Sequence, residues 1–151
     1  MSRVMGIDFG LKRVGIALSD PAGKVALPYT TLEEESAEKL FNQIISIVRE
    51  KDVRLIVLGL PIHLSGDESE MSELVREAGR RLERELKVEV VFWDERLTSK
   101  EAKHILVKAR RTFRKKGVYK GRKTHIDKIA ATLILQGYLD LMRKDDFHDE
   151  I

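Results

Sequence analysis

The chain has 151 residues, of which 28 are basic, 25 are acidic and none is cysteine. That length suits one domain with a single core, and the lack of cysteine excludes a disulfide framework and a thiolate zinc site. No apolar run approaches the roughly 18 residues that a membrane span needs, so we expect a cytoplasmic protein without a membrane partner.

Three short strands are predicted at the start of the chain, separated by turns that contain glycine. Their ranges are residues 4–9, 14–19 and 25–28. The order predicts an antiparallel meander. Along the second strand, Gly15, Ala17 and Ser19 share one face, so we expect another part of the protein to pack closely against it.

The rest of the chain alternates helices and strands. Apolar residues at helical spacing predict helices after Ser36, near Met71 and from Thr124 onward, and the runs VRLIVLGLP and VEVVFW are typical of buried strands. The spacing of Thr98 and Glu101 predicts a capping box at the start of a further, shorter helix. A β-α-β-α-β order of this kind places helices on a parallel sheet.

We therefore predict an α/β fold with a mixed five-stranded sheet, in which three antiparallel strands precede the parallel ones and helices flank the sheet. A single domain is expected over residues 1–144, followed by an acidic tail over residues 145–151 that frays.

Positive charge is concentrated in one segment. Ten of the 28 basic residues lie between Glu101 and Asp127, where there is no acidic residue, so the remaining chain is net acidic. Cations interleaved with aromatic rings favour contact with a phosphate backbone and unstacked bases, whereas the ordinary alternative is a solvated loop. The candidate substrate-binding residues of this segment are Arg110, Arg111, Arg114, Lys115, Lys116 and Tyr119.

Asp8 interrupts an apolar strand. A buried carboxylate is costly without a partner, so Asp8 needs a cation or hydrogen-bond donors. Turn amides around Gly10, or a salt bridge to Lys12 or Arg13, would meet that need for purely structural reasons. A bound metal ion would meet it as well, and the residue alone leaves both explanations open.

Two further carboxylates lie at the ends of later elements. Glu95 follows the strand VEVVFW, at the carboxyl end where open α/β sheets place their ligands, although an ion pair with Arg96 is an alternative. Asp127 opens the last predicted helix, where Thr124 permits a capping explanation. The two alanines at positions 130 and 131 would let this helix pack closely on the sheet and bring the carboxylate inward.

Asp8, Glu95 and Asp127 come from elements that such a sheet can bring together. Converging acidic groups repel one another unless cations bind among them. Oxygen ligands suit Mg²⁺ or Mn²⁺, and two such ions would activate water and stabilise the leaving oxygen in phosphodiester hydrolysis. Asp94 is a candidate fourth ligand, or it caps or pairs locally.

Four ordered motifs, DFGLKRVGIALSD, GLP, DERLTS and HIDKIAATLILQGYL, resemble those of the YqgF family, also called RuvX, over nearly the whole chain. The resemblance implies a ribonuclease H-like fold related to Holliday-junction resolvases, with Asp8, Glu95 and Asp127 matching the family's proposed metal-binding carboxylates. It also implies two rival activities, namely maturation of the 5′ end of pre-16S ribosomal RNA and resolution of Holliday junctions. The segment from Lys108 to Lys123 matches none of the motifs, so its role rests on charge alone.

The sequence thus predicts a metal-dependent nuclease acting on structured RNA such as pre-16S rRNA, or on branched DNA. Lys12, Arg13 and Arg96 are further candidate contacts to the substrate backbone. His125 is either near the substrate or exposed to solvent. Junction resolution would require two active sites on opposed strands, and hence a homodimer.

Two interpretations without this chemistry stay open. A nucleic-acid-binding or ribosome-assembly module would keep the fold and use the carboxylates structurally. The short sequences DFG and GIA also resemble the phosphate-binding hairpin of sugar kinases and actin-like ATPases. Those proteins need a second lobe, for which we expect this chain to be too short.

Overall fold

The computed structural model describes residues 2–10, 13–33, 35–63, 65–98, 100–102, 104, 108 and 120–149, with only the backbone described for 120–126 and 144–149. The strands are β1 (Arg3–Phe9), β2 (Val14–Ser19), β3 (Ala26–Leu32), β4 (Val53–Leu60) and β5 (Glu89–Asp94). The helices are α1 (Ala37–Glu50), α2 (Glu70–Leu86) and α3 (Lys120–Asp149), and a single 3-10 turn (Glu95–Leu97) follows β5. None of the helices within the described ranges is long and apolar enough to cross a membrane.

The five strands form one mixed sheet in the order β3-β2-β1-β4-β5. The pairs β1–β2 and β2–β3 are antiparallel, whereas β1–β4 and β4–β5 are parallel. Strand β4 is buried at every position except Arg54, because packed elements cover both of its faces. The predicted fold class is therefore confirmed, including the antiparallel meander at its start.

Helices α1 and α2 cover one face of the sheet. The Ser36 side chain caps α1, accepting a hydrogen bond from the Lys39 amide at 3.5 Å. A reciprocal capping box between Ser69 and Ser72, with bonds of 2.8 and 3.0 Å, starts α2. The apolar stripes of both helices then pack on the sheet. The residues buried at this interface include Met5, Ile7, Ile16, Phe41, Ile44, Ile56, Leu58, Val75 and Leu82.

Helix α3 covers the opposite face, and it approaches the sheet closely where the strands carry glycine. A Cβ added at Gly6 would lie 2.7 Å from the Leu135 Cβ, and one added at Gly15 would lie 1.9 Å from the Asp127 carbonyl oxygen. Ala131 is fully buried in this interface. The close approach predicted from the small face of β2 is thus confirmed, and the approaching element is α3.

The start of α3 corrects one prediction. The helix begins at Lys120 rather than at Thr124, so Asp127 lies in its interior instead of opening it. The backbone of Thr124 is itself helical, so this residue is not the N-cap, and the capping explanation for Asp127 is wrong. The helix continues to Asp149. The domain division at residue 144 and the fraying of the tail stay predictions.

The middle of α3 is tied to the turn between β2 and β3 by Gln136. Its Oε1 accepts a hydrogen bond from the Ala26 amide at 2.8 Å, and its Nε2 donates to the Lys24 carbonyl at 3.2 Å. Lys24 lies in the turn and Ala26 is the first residue of the edge strand β3, so a side chain of α3 satisfies one backbone group of each. They also fix where α3 lies along its own axis.

Gly15→Ala should lower the free energy of unfolding by about 3 kcal/mol, because the new methyl group would meet a backbone carbonyl of α3 that cannot rotate away. Gly59→Ala is the matched control. A Cβ there would meet the end of the Ile134 side chain at 2.5 Å and a Glu95 carboxylate oxygen at 2.8 Å, and both groups can turn aside. We expect a loss of about 1 kcal/mol or less for this control. Urea unfolding measures both values, and equal losses would show that α3 can shift from β2 at little cost.

Candidate active site

Asp8 lies at the centre of a row of residues that crosses the sheet. It pairs with Gly15 of β2, and because Ile7 lies opposite Leu58, Gly59 of β4 flanks it on the other side. Neighbouring strands are about 4.8 Å apart, so these positions are close neighbours. Asp8 therefore stands between two strand positions that have no side chain.

The two glycines leave space for the residues that carry the other two predicted carboxylates. A Cβ at Gly15 would lie 3.0 Å from the Asp127 Cβ, and one at Gly59 would lie 2.8 Å from Glu95 Oε1. Gly6 contacts α3, and Asp8 follows it by two residues, so the Asp8 side chain is on the same face of β1. The structure thus brings Asp8, Glu95 and Asp127 to one small region between the sheet and α3.

A capped turn holds Glu95 at the end of β5. Asp94 Oδ1 accepts a hydrogen bond from the Arg96 amide at 2.9 Å, and Asp94 Oδ2 pairs with Arg96 Nη2 at 2.6 Å. Hydrogen bonding to Asp94 raises the pKa of the Arg96 guanidinium. Of the alternatives considered for Asp94, capping and local pairing are the ones observed. Arg96 forms an ion pair with Asp94.

Arg13 connects the first hairpin to α3. The Gly10 amide donates to the Arg13 carbonyl at 2.8 Å and closes the turn between β1 and β2. Arg13 Nε lies 3.5 Å from Asp127 Oδ2, and its Nη1 lies 3.9 Å from Glu33 Oε1. Among the described residues, Arg13 therefore forms ion pairs with Asp127 and Glu33.

No three carboxylate or histidine side chains within the described ranges lie close enough together to bind one metal ion. The residues present nevertheless fit a hard divalent cation. Asp8 and Glu95 come from neighbouring strands, and the missing side chain of Gly59 makes the space that the Glu95 carboxylate enters. The donor atoms are carboxylate oxygens, which Mg²⁺ and Mn²⁺ prefer. The carboxylate of Asp127 adjoins them and is paired with Arg13.

Most of the predicted substrate contacts fall outside the described residues. These are Lys12, Arg110, Arg111, Arg114, Lys115, Lys116 and Tyr119. The same holds for the side chain of His125. Arg13 and Arg96 are described, and both border the region of the three carboxylates. Arg96 Nη1 would lie 3.5 Å from a Cβ added at Gly66.

Two residues of this region were missed by the sequence analysis. Gly59 had a usable signal, because a glycine inside a continuous apolar strand often marks the close approach of another group. Glu33, the second partner of Arg13, follows β3 in a polar stretch and is largely exposed. Nothing in the local sequence distinguishes it from an ordinary surface carboxylate.

Comparison with known sequences adds independent information. The RuvX family, described as "Holliday junction resolvase", matches residues 2–141. A relative from Syntrophomonas wolfei is 43% identical over 138 residues, covering 91% of this chain and 94% of its own length. One from Endomicrobium trichonymphae is 41% identical over 141 residues, covering 93% and 97%. Both carry the name "Putative pre-16S rRNA nuclease".

Solved structures with a similar fold include Holliday-junction resolvases. RuvC of T. thermophilus in complex with a Holliday junction substrate is 13% identical, with a TM-score of 0.59 and coverage of 93% of this chain and 96% of that one. The Fowlpox virus resolvase in complex with Holliday junction DNA is 9% identical, with a TM-score of 0.55 and coverage of 93% and 98%. At sequence identities this low, the structural similarity shows a shared ribonuclease H-like fold and carries no conclusion about activity. The match over residues 2–141, together with relatives about 40% identical, establishes that the chain belongs to the RuvX family.

Proposed function

We propose that this protein is a metal-dependent nuclease of the cytoplasm that hydrolyses phosphodiester bonds and matures the 5′ end of pre-16S rRNA. The observation that carries the proposal is the row Gly15–Asp8–Gly59, with Asp127 packed at one glycine and the Glu95 carboxylate at the other. Glycine inside a strand weakens the sheet, so two glycines beside a half-buried aspartate favour a site over a merely structural carboxylate. Family membership and the names of the relatives support the same activity.

In this proposal, Asp8, Glu95 and Asp127 hold two divalent ions. When bound, Mg²⁺ or Mn²⁺ supplies positive charge against the scissile phosphate and activates water for hydrolysis. The chain contributes rigid placement of the ligands. Asp8 sits within a strand, Glu95 in a capped turn and Asp127 inside a long helix, so the backbone that carries each ligand is fixed before substrate arrives.

Basic residues would hold the nucleic-acid backbone. The bonds to Asp94 fix the orientation of the Arg96 guanidinium. The segment between Glu101 and Asp127 supplies ten further cations. Charges and stacking rings, with few side-chain amides, suit recognition of RNA by shape and single-stranded character more than by base edges.

Resolution of four-way DNA junctions is the second candidate function. The description of the RuvX family and the fold shared with T. thermophilus RuvC favour it. This activity would require two copies of the site acting on opposed strands, and therefore a homodimer in solution. Maturation of an RNA end needs one site and no dimer.

Asp8→Asn should reduce metal-dependent cleavage of an end-labelled RNA carrying the 16S 5′ precursor by at least about a hundredfold, because a ligand charge is lost while size and shape are kept. Binding measured in chelator should stay nearly unchanged. Asp52→Asn is the matched control, since this exposed carboxylate precedes β4 at the end of the sheet opposite to Asp8. We expect the control to cleave at the wild-type rate.

The same proteins should be assayed on a four-way DNA junction with Mg²⁺, with Mn²⁺ and with chelator. Cleavage of the RNA alone supports rRNA maturation. Paired symmetric nicks in the DNA junction would instead assign the protein the second function, resolution of four-way junctions. Unchanged cleavage by Asp8→Asn would contradict the assigned site. If neither substrate is cut and salt-sensitive binding persists, the protein is a binding module that uses these carboxylates structurally.

Neutralising four cations of the basic segment should weaken RNA binding across sequences. The substitutions are Arg110→Gln, Arg111→Gln, Lys115→Gln and Lys116→Gln. The slope of log affinity against log salt should flatten by roughly one unit for each phosphate contact that is lost. Fluorescence anisotropy over a salt series measures it.

A matched control removes the same charge from exposed positions of α1 and α2. Its substitutions are Lys39→Gln, Arg49→Gln, Arg80→Gln and Arg84→Gln. The control should alter the slope much less, because α1 and α2 cover the face opposite α3. An equal change in the two variants would mean that only net charge matters and that the basic segment is a solvated loop.

A further inference from the structure

The ion pair between Arg13 and Asp127 joins a cation to one of the proposed metal ligands. The hairpin turn that carries Arg13 is closed by the bond between the Gly10 amide and the Arg13 carbonyl. The same hairpin holds Asp8 opposite Gly15. The backbone of Arg13 is therefore fixed relative to Asp8, and its guanidinium is directed to the region of the three carboxylates.

The guanidinium is shared between two carboxylates at distances longer than a tight pair. Nε lies 3.5 Å from Asp127 Oδ2 and Nη1 lies 3.9 Å from Glu33 Oε1, against about 2.7 to 2.9 Å in a hydrogen-bonded ion pair. The Arg13 and Asp127 side chains are 25% and 26% exposed, so solvent screens the interaction only in part. The Glu33 side chain is 63% exposed. Arg13 is thus held by two long ion pairs rather than by one tight one.

A cation in this position has opposite effects on a metal ion and on a phosphate. Two positive charges close to one carboxylate repel each other, which at a partly exposed site weakens binding of the second by about tenfold. A phosphate attracts a guanidinium and offers it paired oxygen acceptors. Substrate would therefore remove the competitor of the metal ion.

We propose that Arg13 is an internal counter-ion of Asp127, which competes with the metal ion in the free protein and moves to the substrate phosphate when nucleic acid binds. Full metal binding is then coupled to substrate binding, and Arg13 is a positioning residue for the third ligand. This inference rests on the proposed function, because it takes Asp127 as a metal ligand.

A purely structural role is the competing explanation. Arg13 would then only tie the first hairpin to α3, and its removal would lower stability without changing metal affinity. The two roles differ in a measurement made on the free protein, without nucleic acid and without any assay of cleavage.

The test is the affinity for Mn²⁺ of the full-length protein without nucleic acid, measured from the electron paramagnetic resonance signal of free Mn²⁺. Arg13→Gln should bind Mn²⁺ about tenfold more tightly than the wild type. Arg13→Lys keeps the charge and loses the planar fork, so it should stay close to the wild type. Arg49→Gln removes the same charge from the exposed end of α1 and should change the affinity by less than about twofold.

A second arm measures the coupling itself. A short RNA oligonucleotide, recovered intact on a gel after the measurement, should tighten Mn²⁺ binding by the wild type more than by Arg13→Gln. Arg13→Gln has already lost the cation that competes with Mn²⁺, so RNA binding should increase its Mn²⁺ affinity less. By reciprocity, Mn²⁺ should strengthen RNA binding more in the wild type than in the variant.

The outcomes separate this inference from the proposed function. If Asp8→Asn fails to weaken Mn²⁺ binding, or no saturable binding exists, the proposed metal site is wrong and the inference falls with it. If binding depends on Asp8 but Arg13→Gln matches or falls below the wild type, the inference alone is overturned. A lower melting temperature of Arg13→Gln with unchanged Mn²⁺ affinity assigns Arg13 the structural role.

Discussion

The close contact between α3 and the glycines of the sheet is the constraint on which the rest of the structure depends. Side chains on both surfaces would otherwise hold the helix and the strands apart. At Gly6 and Gly15 the strands offer only backbone, so the helix lies against them and its residue Asp127 comes level with Asp8. A carboxylate in the interior of a helix can thereby reach the same region as one in the interior of a strand.

Charges around this region are balanced locally. Asp94 forms an ion pair with Arg96, and Asp127 forms one with Arg13. The two pairs differ in kind. The Asp94–Arg96 pair has several short hydrogen bonds and fixes a turn, whereas the Arg13–Asp127 pair is longer, with 3.5 Å between Nε and Oδ2.

The sequence predicted the elements that follow from periodicity and topology, and failed where long-range packing decides. Alternation and apolar runs identified the strands, and the order of the elements indicated that one sheet can bring Asp8, Glu95 and Asp127 together. The start of α3 could not be predicted, because residues 120–123 have no apolar spacing although lysine and arginine are good helix formers. The pairing of Arg13 with Asp127 joins residues far apart in the chain, and no local pattern records it. Metal binding and substrate contacts stay predictions.

The link between Gln136 and the β2–β3 turn has a consequence for which surface residues can vary. Gln136 lies nine positions after Asp127 in the same helix, about 13 Å along its axis, so a shift at the turn would move the helix that carries the carboxylate. The turn needs its Lys24 carbonyl and Ala26 amide in place, and neither depends on which side chains those residues carry. Homologues are therefore expected to differ at the exposed positions of this turn, such as Ala22 and Lys24, while keeping its length and backbone path.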